Sequence, residues 1–168
     1  MAKNFLWVTN TEENVRFYSN SAAKSNLSLR FASAINKDTK KRICDFVRYL
    51  RKVFYFPIRC NIYFCIQEKF ESPKGGYSYG IFYSNEESGG RVYPQIYIPA
   101  RMDFFSVCHS LSHELTHYFQ WYFLEDNQKS DRAIEREVSR YATRIMEDYC
   151  SRYCREPDNA CEACREKR

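Results

Sequence analysis

His113-Glu114-Leu115-Thr116-His117 is the stretch on which the reading of this chain turns. Asp103 N-caps a helix expected to run to about Leu124, so the five residues fall in the middle of it. Side chains at i and i+4 of a helix lie one above the other, and both imidazoles can therefore close on a single Zn²⁺. Glu114 points about 100° away from His113, close enough to reach a metal-bound water without being a ligand. That is what a hydrolase needs: the ion lowers the pKa of its water, the carboxylate accepts the proton, and the hydroxide attacks a polarised carbonyl carbon. Two surface histidines flanking a glutamate would spell the same letters, and the helical context favours the metal.

All three histidines of the chain lie at 109, 113 and 117. Eight residues of helix span about 12 Å, too far for His109 and His117 to share an ion whose bonds to nitrogen are about 2.0–2.1 Å. His109 is therefore expected in the core or in support of the site. No histidine follows His117, so the remaining donor must be a carboxylate or a thiolate on an element packed against the motif helix. The next helix, capped by Ser130 or Asp131, carries an apolar stripe of Ile134, Val138, Tyr141, Ala142 and Ile145. Stepping 100° per residue from that stripe places Glu135 about 60° off centre and Glu137 about 100° off on the other side. Glu135 is the better-placed ligand, Glu137 the alternative, and two solvated surface acids the bland outcome.

Upstream, Ile43, Phe46, Val47, Leu50 and Phe54 recur at helical spacing, with Asp38 or Thr39 as the cap and Pro57 as the end. Three β-rich runs follow, Cys60–Ile66, Tyr77–Tyr83 and Val92–Ile98, the last two reading as a hairpin across Asn85–Gly90. The expected fold is α+β: an N-terminal helix, a three-stranded and mostly antiparallel sheet, the motif helix and the glutamate helix. Residues 38–149 would form this domain, residues 1–37 a pro-segment or extra strands, and residues 150–168 a cysteine-rich tail. The 168 residues suffice for one domain, and 44% hydrophobic with 28% charged residues excludes wholesale disorder. Mean hydropathy of −0.64 and the lack of a long apolar run argue against a bilayer span. No signal peptide is legible at the N-terminus, so the expected location is cytoplasmic. The net charge of +5 permits an acidic partner without arguing for one.

The motif followed eighteen residues later by Glu135 resembles the gluzincin zinc metallopeptidases, most closely their minimal single-domain members, the minigluzincins and the ImmA/IrrE-like and SprT-like proteins. Glu135-Arg-Glu-Val-Ser-Arg-Tyr-Ala142 is similar to their Glu-x-Glu-Ala-Asn-x-Phe-Ala pattern, which implies the first glutamate as ligand. Val138-Ser139 replaces Ala-Asn here, where the resemblance implies an amide or acid supporting a metal-bound histidine. It further implies a peptide lying along a sheet edge as an added antiparallel strand, with 77–83 favoured over 92–98. The oxyanion donor that larger relatives carry in a C-terminal subdomain would here fall to a tyrosine such as Tyr141 or Tyr149.

Cys150, Cys154, Cys161 and Cys164 supply four soft ligands, the number for a second, structural Zn²⁺, with disulfides or free thiols as the alternatives. Five Arg/Lys against four Asp/Glu in this tail make no strong phosphate-binding patch, so nucleic acid is a weak expectation. The sequence thus points to a zinc metalloendopeptidase with Glu114 as general base. The alternative is a catalytically silent domain of the same shape that binds or regulates proteins or nucleic acids.

Overall fold

The Asn36 side chain accepts the Thr39 amide at 2.8 Å and starts helix α1, Lys37–Val53. The expected caps, Asp38 and Thr39, lie inside the helix because the extended Asn36 already satisfies its first free amides. Ile43, Phe46, Val47 and Leu50 are buried along one face. The helix stops at Val53, short of Pro57, since Phe54 turns extended and Phe54, Tyr55 and Phe56 are buried in sequence. A helix would have spread those three rings around its circumference. The computed structural model describes residues 27–72, 75–84, 93–123 and 130–154.

Within these residues the fold is α+β, with three helices and a mixed sheet. The strands are β1 Leu27–Phe31, β2 Cys60–Cys65, β3 Phe70–Glu71, β4 Tyr77–Ser78, β5 Ile81–Tyr83 and β6 Gln95–Pro99. Four of them form one sheet in the order β1-β2-β6-β5, and β3 with β4 makes a separate ribbon. β1 and β2 are parallel, with Leu27 opposite Cys60, and β2 and β6 are parallel, with Asn61 opposite Gln95. β5 alone runs antiparallel, with Ile81 opposite Tyr97. The expected three-stranded, mostly antiparallel sheet is therefore corrected to a four-stranded, mostly parallel one. Helix α1 provides the crossover that parallel neighbours require, and β1 comes from a stretch whose own pattern is weak. The folded unit accordingly begins before residue 38. The run 77–83 divides between two sheets at Tyr79-Gly80, and the hairpin loop expected at 85–90 lies outside the described residues, as do residues 1–26.

Burial alternates along β2, where Cys60, Ile62 and Phe64 are buried and Asn61, Tyr63 and Cys65 only partly so. This is the mark of a sheet with one face in the core. Helix α2, Phe104–Phe123, packs against β5, β6 and α1, and against helix α3, Asp131–Tyr153. Asp103 caps α2 as expected, accepting the Ser106 amide at 3.0 Å, and Ser130 caps α3. α2 is buried on several sides, and small hydroxyl residues make that tolerable. Ser112 donates to the Cys108 carbonyl and Thr116 to the Ser112 carbonyl, both at 2.8 Å, so neither hydroxyl needs an outside partner. Among the described residues no helix is long and apolar enough to cross a membrane.

Candidate metal centre

The motif helix presents two adjacent faces to two different neighbours. His113 and His117 face α3, and Glu114 faces the edge strand. His113 and His117, at i and i+4, lie one turn apart, and Glu114 points about 100° away from His113, so the motif serves both directions at once.

On the α3 side, His113 Nε2 lies 3.3 Å from Glu135 Oε2, and His117 Nε2 lies 3.3 Å from Glu135 Oε1. One ligand atom from each of these three residues falls within 4.8 Å of the others, the one such group among the described residues. Two ligands on a tetrahedral zinc at about 2.0–2.2 Å stand about 3.3–3.6 Å apart, which the two histidine–glutamate separations match. Burial depresses the pKa of both imidazoles, that of His113 to about 4 with the neighbouring His117 adding to the effect. Both rings are thus neutral at ordinary pH, the form in which imidazole binds metal. Two imidazoles and one carboxylate make a donor set suited to zinc, with the open fourth position of a catalytic rather than a structural site.

Glu135 meets both histidines although its side chain is 58% exposed. Its position beside the stripe, rather than within it, lets the side chain lean over the rim of the α2–α3 interface. Glu137, the alternative ligand, stays outside the group and accepts the Gln120 amide nitrogen on Oε2 at 3.2 Å. His109 is exposed, contrary to its expected place in the core or in support of the site. It lies a turn before His113, between the buried Cys108 and Ser110. Ser139 is also exposed, and its carbonyl accepts the Thr143 hydroxyl, so no histidine support is seen at the position where the resemblance implies it. Tyr149 packs against Phe46 and Tyr49, with ring centroids 4.8 and 5.2 Å away, in an aromatic cluster between α1 and α3. That cluster occupies the ring as core.

On the other face, Glu114 is 6% exposed. Burial pushes its carboxyl up to about 8, the charge of Glu135 contributing. Gly80, buried just before β5, explains how Glu114 and the strand come together. A Cβ at residue 80 would stand 2.5 Å from Glu114 Oε1 and 2.7 Å from its Cγ. Only a residue without a side chain lets the strand backbone lie on the carboxyl. The Gly80 carbonyl accepts the Ser78 hydroxyl, and Phe82, two residues on, packs its ring toward Tyr118 and Trp121 of α2. Gly80 was missed in the sequence, although an isolated glycine inside a strand pattern signals a close backbone approach. Gln120 was missed as well, and its signal is its place one turn beyond His117.

Cys150 is buried and Cys154 partly buried. Cys161 and Cys164 lie outside the described residues, and so does the proposed four-cysteine site as a whole. Compared with protein-family models, with curated proteins and with solved structures, the chain matches none.

Proposed function

We propose that the chain is a zinc-dependent metalloendopeptidase of the minimal gluzincin kind, with His113, His117 and Glu135 as ligands and Glu114 as general base. The observation that carries this reading is the convergence of two neutral imidazoles on one carboxylate, each 3.3 Å from it, with a buried glutamate on the adjoining helix face. A zinc ion held there would supply Lewis acidity toward a peptide carbonyl and would lower the pKa of water. Glu114 would be the group placed to take a proton from the attacking water and return it to the leaving amine. A carboxyl whose pKa lies near the working pH suits both transfers, and a nearby cation draws it down from the value set by burial alone.

The edge strand fits an extended peptide. β5 pairs with β6 on one side, and among the described residues no strand covers its other side. A peptide added antiparallel to β5 would run past Gly80, where the strand backbone touches Glu114. Substrate and base would then be held by one rigid element.

Glu114→Gln tests the reading, because it removes the proton acceptor and leaves all three ligands. Zinc content should stay at wild-type level while cleavage of a peptide library falls by at least about 10²-fold. Undiminished turnover would end the proposal. Saturable peptide binding by both proteins with no cleavage by either would instead indicate a silent binding module.

A further inference from the structure

Gln120 lies one turn beyond His117 on α2 and is 5% exposed. Its amide nitrogen donates to Glu137 Oε2 of α3 at 3.2 Å. Its amide oxygen is buried and meets no donor at hydrogen-bonding geometry. Burying an acceptor without a donor is costly, so an orphan of this kind calls for a reason. His117 lies one turn back on the same face of α2, and its ring is a donor that this oxygen could take up. His117 Nε2 faces Glu135, so a metal bound on that nitrogen would leave Nδ1 to carry the ring hydrogen. Glu135 and Glu137 flank the buried Val138, so α3 reaches the same histidine from both sides of its stripe: directly with Glu135, and through Gln120 with Glu137.

We propose that Gln120 and Glu137 form a positioning strut for His117, in which the Gln120 oxygen accepts the ring Nδ1–H when the metal ligands close and Glu137 holds the amide in that orientation. The inference rests on the zinc reading above. It assigns to α2 the histidine support that Ser139 of α3 does not give, and it gives Glu137 a role other than ligation. Such a strut fixes the tautomer that leaves Nε2 free to bind metal, and it raises the basicity of the ring.

The test measures zinc affinity by competition with a chromophoric chelator, together with the visible spectrum of the cobalt-substituted protein. Gln120→Leu should weaken zinc binding about 10–100-fold and shift the cobalt bands, with metal-free melting retained. Glu137→Ala should weaken zinc in the same direction, and Glu137→Gln, which keeps an acceptor for the amide, should recover most of the affinity. Unaltered affinity and spectrum in Gln120→Leu would overturn the strut. If that variant fails to fold, Glu137→Ala decides alone, and wild-type affinity there overturns it equally. The failure of the underlying reading looks different: wild type and His113→Ala would then hold zinc equally poorly, and the strut would fall with it.

Discussion

Glu114 and His113 are shifted in opposite directions by the same burial, which gives the metal-free protein a distinctive dependence on pH. The Glu114 carboxyl is raised from 4.5 to about 8, so the fold keeps a proton that the unfolded chain has released. Its contribution to stability is complete below about 4.5 and lost as pH rises through about 8. His113 is lowered from 6.5 to about 4, so its contribution is present above 6.5 and lost as pH falls toward 4. From about 6.5 to 8 the glutamate therefore acts without the histidine. In chelator, unfolding followed by circular dichroism should show stability falling over that interval, and more steeply in wild type than in Glu114→Gln. The difference in slope should approach about 1.4 kcal/mol per pH unit, the value for one proton. Equal slopes would contradict the burial of this carboxyl. Gly80→Ala addresses the same group by geometry. Its Cβ would displace the Glu114 side chain, and a shift of about 1 Å in a catalytic group costs on the order of 10²-fold in rate. Turnover should drop to that extent while zinc content stays unchanged, and full activity would show that the carboxyl has room to spare. The motif letters made Glu114 legible from the start. Its contact with Gly80 was not, because 34 residues separate the two and nothing in either segment names the other.

Helix α2 owes its position to Tyr118, the residue after the second histidine. Its ring is wholly buried, and its hydroxyl donates to the Ile58 carbonyl at 2.8 Å and accepts the Ile58 amide at 3.1 Å. A single side chain thereby satisfies both backbone groups of the segment entering β2. Tyr118→Phe keeps the packing and leaves that amide and carbonyl without their partner, at a cost of about 1–3 kcal/mol. Denaturant unfolding should detect this loss, and a change below about 0.5 kcal/mol would mean that water replaces the hydroxyl. At the other end of the interface, Tyr49 of α1 donates to Asp148 of α3 at 2.7 Å, so α3 is tied to α1 as well as to α2. The helices were readable because their signals are local: a stripe, a capping residue, a following polar stretch. Their ends were less so. Val53 ends α1 because the next three aromatic residues find burial elsewhere, a fact of packing and not of propensity.

On the proposed reading, metal binding would be coupled to folding, since the candidate ligands come from two helices that separate on unfolding. Zinc at a hundred times its Kd should stabilise the protein by about 2.7 kcal/mol, seen as a rise in Tm that His113→Ala and Glu135→Ala both abolish. A rise that survives loss of His113 would place the ion elsewhere. The sheet supplies the other half of the arrangement. β6 lies between β2 and β5 and carries Ile96 and Ile98 into the core beneath α2, which leaves β5 at the margin beside Glu114. Its antiparallel sense was legible as a hairpin. The parallel pairs β1–β2 and β2–β6 were not, because parallel neighbours are joined through long crossovers and their pairing leaves no short-range mark.

Spacing along one helix was enough to single out His113, Glu114 and His117 as candidates, and periodicity on the next was enough to expect Glu135 rather than Glu137 beside the histidines, because both signals are written within a few turns of a single element. The order of the strands, the exposure of His109, the close approach of Gly80 and the engagement of Gln120 with Glu137 were decided only when the elements packed. Each depends on which surfaces meet across large separations in the chain, and that is set by the joint burial of apolar faces rather than by any one segment.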